Sequence, residues 1–295
     1  MVDFFSDPSH LPAHTDGWFF DNMDRGCSYS GALDSGSVAG GISGNTSLSS
    51  GPIMEAACNA LLEQMDQSMP SDMYFITNTS NYGASYCDSW GWAFCTSTLG
   101  GVQLSRPLAQ GMMYSRGVLQ EFEYRITTRL NEFEGNYGGL KEIWNAKGSP
   151  RNNLYIMWWV RAGDDSGIPD DDERIKIFAL STHLLYQFER SYMRYDGENQ
   201  NNTPLTGDWF GAMGVNIGNA NGEKTALDDR TFKRSFDNGI VLVRFRVGSD
   251  DNYSDSQNYD LGGSYYPVNS DGSLGNPVSS VNLKNSQGFI GIKNP

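Results

Sequence analysis

Positive charge is scarce in this chain: 21 Lys and Arg stand against 35 Asp and Glu over 295 residues, a formal net charge of −14. The deficit argues against a nucleic acid or an anionic membrane as partner, because their phosphates would be repelled. Long hydrophobic runs are also missing. The longest, Leu154 to Val160, is strand-sized, far short of the ~18 apolar residues of a membrane-spanning helix. The first residues, MVDFFSDPSHLP, have neither the basic stretch nor the apolar segment of a signal peptide. Histidine is rare, with 3 in all; His183 falls inside a helical pattern, and His10 and His14 lack a nearby nucleophile elbow, which argues against Ser-His-Asp catalysis. No glycine-rich phosphate cradle follows a strand, so nucleotide binding is disfavoured. Four cysteines, Cys27, Cys58, Cys87 and Cys95, fit neither a zinc pattern nor a CxxC redox pair. Thiols and disulfides both stay open; a Cys87–Cys95 bridge around Trp90 and Trp92 would go with an oxidising compartment. The acidic run Asp250 to Asp255 lacks the closing Glu of a calcium loop and reads as a solvated loop.

What is present describes a folded, loop-rich protein: 38% hydrophobic and 13% aromatic residues with 34 glycines. Trp18 to Phe20 reads as a short strand, and Gly26 to Gly51 as a long loop. A helix follows, capped by Ser50 with Pro52 in its first turn, and its apolar stripe runs Ile53, Met54, Ala57, Leu61, Leu62 and Met65. Met73 to Asn78, Gly111 to Phe122, Leu154 to Val160 and Ser191 to Tyr195 read as further strands. Helices are expected over about Glu123 to Phe133 and Arg174 to Arg190. This alternation predicts an α/β architecture over residues 1–222. The character then changes. Short strands at Thr231–Phe236, Gly239–Val247, Tyr265–Val268, Val281–Leu283 and Gly288–Ile292 are separated by turn residues, with Asp237-Asn238-Gly239 a strong hairpin signal. They predict a small antiparallel β domain over residues 223–295.

The strand Trp18 to Phe20 stops on a carboxylate, Asp21, and alternation groups Gly17, Phe19 and Asp21 on one side. In an α/β barrel, the carboxyl end of a strand opens on the active-site face. Gly117, Leu119 and Glu121 share a side in the same way. Asn78, Arg161 and Asp196 end the other expected strands and are candidates for hydrogen-bonding sugar hydroxyls. Trp90 and Trp92, in a glycine-bearing loop, are candidates for stacking on sugar rings, as are Tyr82 and Trp209. Trp158 and Trp159 read first as core.

These pieces resemble a family of barrels classed as glycoside hydrolases, distantly related to polygalactosaminidase and α-galactosidase-type barrels. The resemblance rests on Asp16-Gly17-Trp18-Phe19-Phe20-Asp21-Asn22 as a fourth barrel strand, on Gly117 to Phe122 as a sixth, and on Ser191 to Asp196 as an eighth. It rests also on a C-terminal block in which Arg230 to Val243 is similar to an "R-x-F-x-N-G-x-V-L-V" hairpin and Leu261-Gly262-Gly263-Ser264-Tyr265 to "L-G-G-x-Y". The family hairpin continues into "N-P", where this chain has Arg244-Phe245-Arg246. The resemblance implies a (β/α)8-type barrel or partial barrel followed by a small antiparallel β domain. It also implies cleavage of glycosidic bonds in an extracellular polysaccharide or oligosaccharide. Asp21 would be the nucleophile and Glu121 the general acid/base, with Asp24 and Glu123 as competitors, and no cofactor is required. A retaining mechanism is expected, with the carboxyl groups about 5–5.5 Å apart. The first three barrel strands have no counterpart, since too few residues precede Trp18 for βα units of ~30 residues. Their absence predicts self-association or a partner chain that completes the barrel. Two other readings stand beside the enzyme: a non-catalytic carbohydrate-binding remnant, and a structural, self-assembling subunit.

Overall fold

A computed structural model describes residues 17–20, 60–61, 63–65, 67–68, 74–78, 96–99, 102–105, 117–121, 129–134, 155–161, 172–187, 191–196, 209–248 and 251–293. The chain divides into two compact units interleaved along the sequence. One gathers Met1–Glu121, Gly138–Met157 and Arg190–Tyr192; the other gathers Phe122–Tyr137, Trp158–Glu189 and Met193–Pro295.

In the first unit, β1 (Gly17–Phe20) pairs in parallel with β2 (Tyr74–Asn78), and β2 in parallel with β5 (Gly117–Glu121). The order of the five-stranded sheet is β1-β2-β5-β6-β7, with β6 (Tyr155–Arg161) and β7 (Ser191–Asp196) divided between the two units. β3 (Thr96–Leu99) and β4 (Val102–Ser105) form a separate two-stranded antiparallel sheet. The helix expected after Pro52 is present at residues 60–61, 63–65 and 67–68, and its Met65 is buried.

The second unit holds the best-packed part of the chain. Six strands stand in the order β12-β11-β13-β10-β9-β8. They are β8 (Thr225–Ala226), β9 (Thr231–Ser235), β10 (Gly239–Arg244), β11 (Ser256–Pro267), β12 (Val278–Lys284) and β13 (Gln287–Ile292). The paired strands run antiparallel, and Asp237-Asn238 joins β9 to β10 as a tight hairpin. β10 is buried along its whole length, because it is covered on both faces. On one face Ile240 and Leu242 pack with Phe289 of β13 and with Tyr259, Leu261, Tyr265 and Leu283 of the β11–β12 ribbon. On the other, Val241, Val243 and the following Phe245 are fully buried. There the Phe245 ring meets Phe133 at 4.9 Å and Phe178 at 5.9 Å between centroids. Phe133 lies on α1 (Leu130–Phe133) and Phe178 on α2 (Asp172–Tyr186). The layers are therefore helix, sheet and ribbon. β11 serves two of them by bending at a bulge between Asp260 and Tyr265, where Gly262 has φ +72°, a left-handed conformation that a side chain disfavours.

Two contacts fasten α2 to this sheet. At its C-terminal end, Arg234 of β9 donates to the carbonyls of Leu184 (3.0 Å), Leu185 (3.3 Å) and Gln187 (2.6 Å). These are carbonyls that a helix end leaves unsatisfied, and a cation suits the negative end of the helix dipole. At its N-terminal end, Arg174 donates to the carbonyls of Ser286, Asn285 and Tyr253, gripping the β12–β13 turn.

The (β/α)8-type barrel, whole or partial, is corrected by these observations. Among the described residues strands dominate, most in antiparallel pairing, and the helices with described bounds are α1 and α2 alone. The five-stranded sheet ends at β1 and β7 rather than closing. The physical reason is visible in α2. The alternation of strand and helix assigned it to a parallel sheet, but among the described elements it packs on β13, β10 and β9 of the antiparallel sheet, and residues Ile177 to His183 are buried without a break. Periodicity records that a helix has an apolar face, not which sheet covers it.

Two outcomes follow for stability. A Cβ on Gly288 would lie 2.4 Å from Ser181 Oγ and 2.9 Å from the Ile177 carbonyl oxygen, so Gly288→Ala should destabilise by about 1–3 kcal/mol through overpacking, read by chemical denaturation. His183 is fully enclosed on α2; burial first, and the nearby Arg234 charge second, pull its imidazole from 6.5 down to about 4. The unfolded chain therefore takes up the proton first as pH falls. Stability contributed by neutral His183 is complete above pH ~6.5 and is lost on descending to pH ~4, about 3 kcal/mol in all. A His183→Gln variant should show a flatter stability profile across that window.

Candidate functional site

The parallel sheet brings two of the expected site positions together by register alone. Asn78 is the last residue of β2 and pairs with Leu119 of β5; Glu121, the last residue of β5, lies two positions further on. Positions 78, 119 and 121 therefore belong to one face of the sheet, at the carboxyl ends of neighbouring parallel strands. Positions 17, 19, 74 and 76 share that face through the pairs Gly17↔Tyr74 and Phe19↔Ile76. Arg161 and Asp196 end β6 and β7, as expected. Asp21, Trp90 and Trp92, like Tyr82, Asp24 and Glu123, lie outside the described residues. Of the expected positions, then, the described sheet joins Asn78 to Glu121.

A second polar constellation occupies the antiparallel unit, and the sequence reading did not foresee it. Arg244 continues the inward alternation Ile240, Leu242, so its guanidinium points into a layer that must satisfy it. It donates to the Tyr259 hydroxyl at 2.7 Å and approaches Thr231 Oγ1 at 3.4 Å. Tyr259 in turn donates to Asp228 Oδ2 at 2.7 Å and takes a 2.7 Å hydrogen bond from Thr231. Asp228 lies 3.6 Å from Arg244 and also accepts from the Arg230 and Thr231 amides at 3.0 and 2.7 Å. Partial burial raises the Asp228 carboxyl, but the hydrogen bonds from Tyr259 and these amides outweigh it and hold it below the ordinary carboxylate range. Burial pushes the Tyr259 phenol up. The group is an acid, a phenol, a hydroxyl and a guanidinium held together across β9, β10 and β11, with Arg244 Nε buried and without a hydrogen-bond partner; it has the arrangement of a register lock rather than of a substrate site.

The signal for it was available in the sequence as a charge at the end of the apolar run Gly239 to Val243. The segment Arg244-Phe245-Arg246 has a physical reading. Arg244 closes this network, Phe245 fills the core against α2, and Arg246 donates to the Tyr253 hydroxyl at 2.5 Å while lying 4.5 Å from its ring centre. Asp251 has its Oδ2 occupied by donors: Arg230 at 3.1 Å and the Val247 and Gly248 amides at 2.7 and 3.1 Å. That oxygen therefore faces N–H groups, which repel a cation. No group of three or more metal-ligating side chains occurs among the described residues.

Compared with known protein families, the chain matches no family model, and no curated protein sequence matches it.

Replacing Tyr259 by Phe should leave Arg244 and Thr231 short of an acceptor and should release Asp228 from its strongest donor. The expected cost is about 1–3 kcal/mol. The Asp228 carboxyl should also titrate at higher pH than in the parent protein, measurable by NMR. Stability that its ionised form supplies above the ordinary carboxylate range would then be lost at a higher pH on acidification.

Proposed function

We propose that this chain hydrolyses glycosidic bonds of a polysaccharide or oligosaccharide by a two-carboxylate mechanism, with Glu121 as general acid/base and Asp21 as nucleophile. What supports the reading is the register that sets Glu121 and Asn78 on one face at the carboxyl ends of neighbouring parallel strands. In open parallel sheets ligands bind outside those ends. A closed barrel is not needed for this: two parallel strands already aim their terminal residues at a common edge. Asn78 beside Glu121 would hydrogen-bond a sugar hydroxyl, and Arg161, Asp196, Trp90 and Trp92 are the further candidates for holding the sugar. The net charge of −14 suits a neutral glycan better than an anionic one.

In this chemistry the acid must be protonated to release the leaving oxygen, and the second carboxylate must be ionised to attack the anomeric carbon. Water then breaks the glycosyl-enzyme bond with the first residue acting as base. Activity should accordingly rise and fall with pH on two limbs, one for each carboxyl group.

The test is release of reducing ends from starch, xylan, mixed-linkage β-glucan, galactan and chitosan oligomers. Glu121→Gln should lower kcat/KM by about 100-fold or more, and Asp21→Asn should do the same, each with an unchanged unfolding midpoint. Parent turnover retained in both variants, or no turnover by the parent protein on the whole panel, would overturn the reading.

A further inference from the structure

We infer that Trp209, with the turn formed by residues 269–273, makes a glycan-binding surface. The inference rests on the reading of the substrate as a glycan.

Trp209 is 73% exposed. An indole offers about 150–250 Å² of largely apolar surface, and leaving most of it in water forgoes the stabilisation that burial would supply. The chain does not lack the means to bury an aromatic at this point. The next residue, Phe210, is buried and packs edge-on against Tyr195 at 5.2 Å. Phe210 is also extended, with φ −126° and ψ 152°. Neighbours in extended chain point to opposite sides, so anchoring Phe210 inward holds Trp209 outward. The segment after it is fixed to the 269–273 turn: Ala212 N–H donates to the Ser270 carbonyl at 3.0 Å, and Gly211 lies against the Asp271–Gly272 peptide. A Cβ on Gly214 would stand 3.5 Å from Trp209 Cζ2, so the residue beside the ring has no side chain to cover it.

The adjoining turn is rigid and polar. Asp271 accepts from the Ser273 amide at 2.8 Å and its hydroxyl at 2.6 Å, and Asn269 Nδ2 donates to Ser273 Oγ at 2.9 Å. Glu173 of α2 accepts from the Ser270 amide at 2.6 Å and from its hydroxyl. The Asp271 carboxylate remains exposed, and the Ser273 donors hold it below the ordinary carboxylate range, so it is an acceptor at neutral pH.

The surroundings select the ligand. A protein hot spot or a lipid-inserting tryptophan sits in a wider apolar patch. Among the described residues, the exposed ones on the flanking segments are Gly214, Asn216, Asn269, Asp271 and Ser273, with Leu274 the apolar exception. A pyranose fits such a place: its C–H face stacks on the indole while its hydroxyls meet a carboxylate and small polar groups. The negative net charge favours a neutral sugar.

The experiment is affinity electrophoresis of the full chain through gels carrying starch, xylan, mixed-linkage β-glucan, galactomannan or galactan, with pull-down on cellulose and chitin. The parent protein should be retarded on at least one matrix. Trp209→Ala should weaken that binding about 10-fold or more, with Trp209→Phe between the two. Because the side chain is exposed, the unfolding midpoint of Trp209→Ala should match the parent. Asp271→Asn should weaken binding about 3-fold, the scale of one exposed hydrogen bond. Equal retardation of Trp209→Ala and parent protein, or no retardation of the parent on any matrix, overturns the inference. Retention by Glu121→Gln keeps the two proposals apart. Binding that depends on Trp209 without turnover refutes the hydrolase alone, and turnover with binding indifferent to Trp209 refutes this surface alone.

Discussion

One strand that must be buried on both faces organises the well-packed half of this protein. β10 alternates Ile240 and Leu242 toward the β11–β12 ribbon with Val241, Val243 and Phe245 toward α2. Neither cover is optional, because an antiparallel strand with two apolar faces would otherwise leave one in water. The bend in β11, the absence of a side chain at Gly288 and the two arginines gripping α2 at its ends all serve the same need. Arg234 takes the open carbonyls at one end, and Arg174 holds the β12–β13 turn at the other. Each fastens helix to sheet with a charge that is spent on carbonyl oxygens.

The Asp228–Tyr259–Arg244–Thr231 network belongs to this design. A buried guanidinium is costly unless its donors are met, and a shift of one residue in β10 or β11 would turn Arg244 or Tyr259 to the wrong face. The network thus penalises misregister more heavily than apolar packing alone would. It also separates two kinds of polar group in the chain. Those of the network hold one another, whereas Asn78 and Glu121 close neighbouring parallel strands.

Legibility differed between the two sheets for reasons of chemistry. The hairpin at Asp237-Asn238-Gly239, the strands on either side of it and the strand ending on Glu121 were readable, because turn residues and period-two alternation are local signals. The helix Asp172–Tyr186 was readable within a few residues. Its destination was not. Placing it in a barrel followed from the resemblance and from the strand-then-helix alternation, and neither determines which sheet a helix packs on. The network around Tyr259 was missed because its members are spread over Asp228 to Tyr259 with no spacing rule to connect them. Trp209 was one aromatic among several in the sequence, and its exposure is set by the tertiary structure.

The order of residues along this chain determined local conformation: where strands begin and end, where the chain turns, and that Glu121 closes a strand on the same side as Gly117 and Leu119. Tertiary structure decided what each apolar face meets, which cations cap which carbonyls, and that Asn78 pairs with Leu119, two positions before Glu121. The reason is that alternation and turn chemistry act between residues a few positions apart. Pairing between strands and the cover of a helix are settled by the total burial that the whole arrangement achieves.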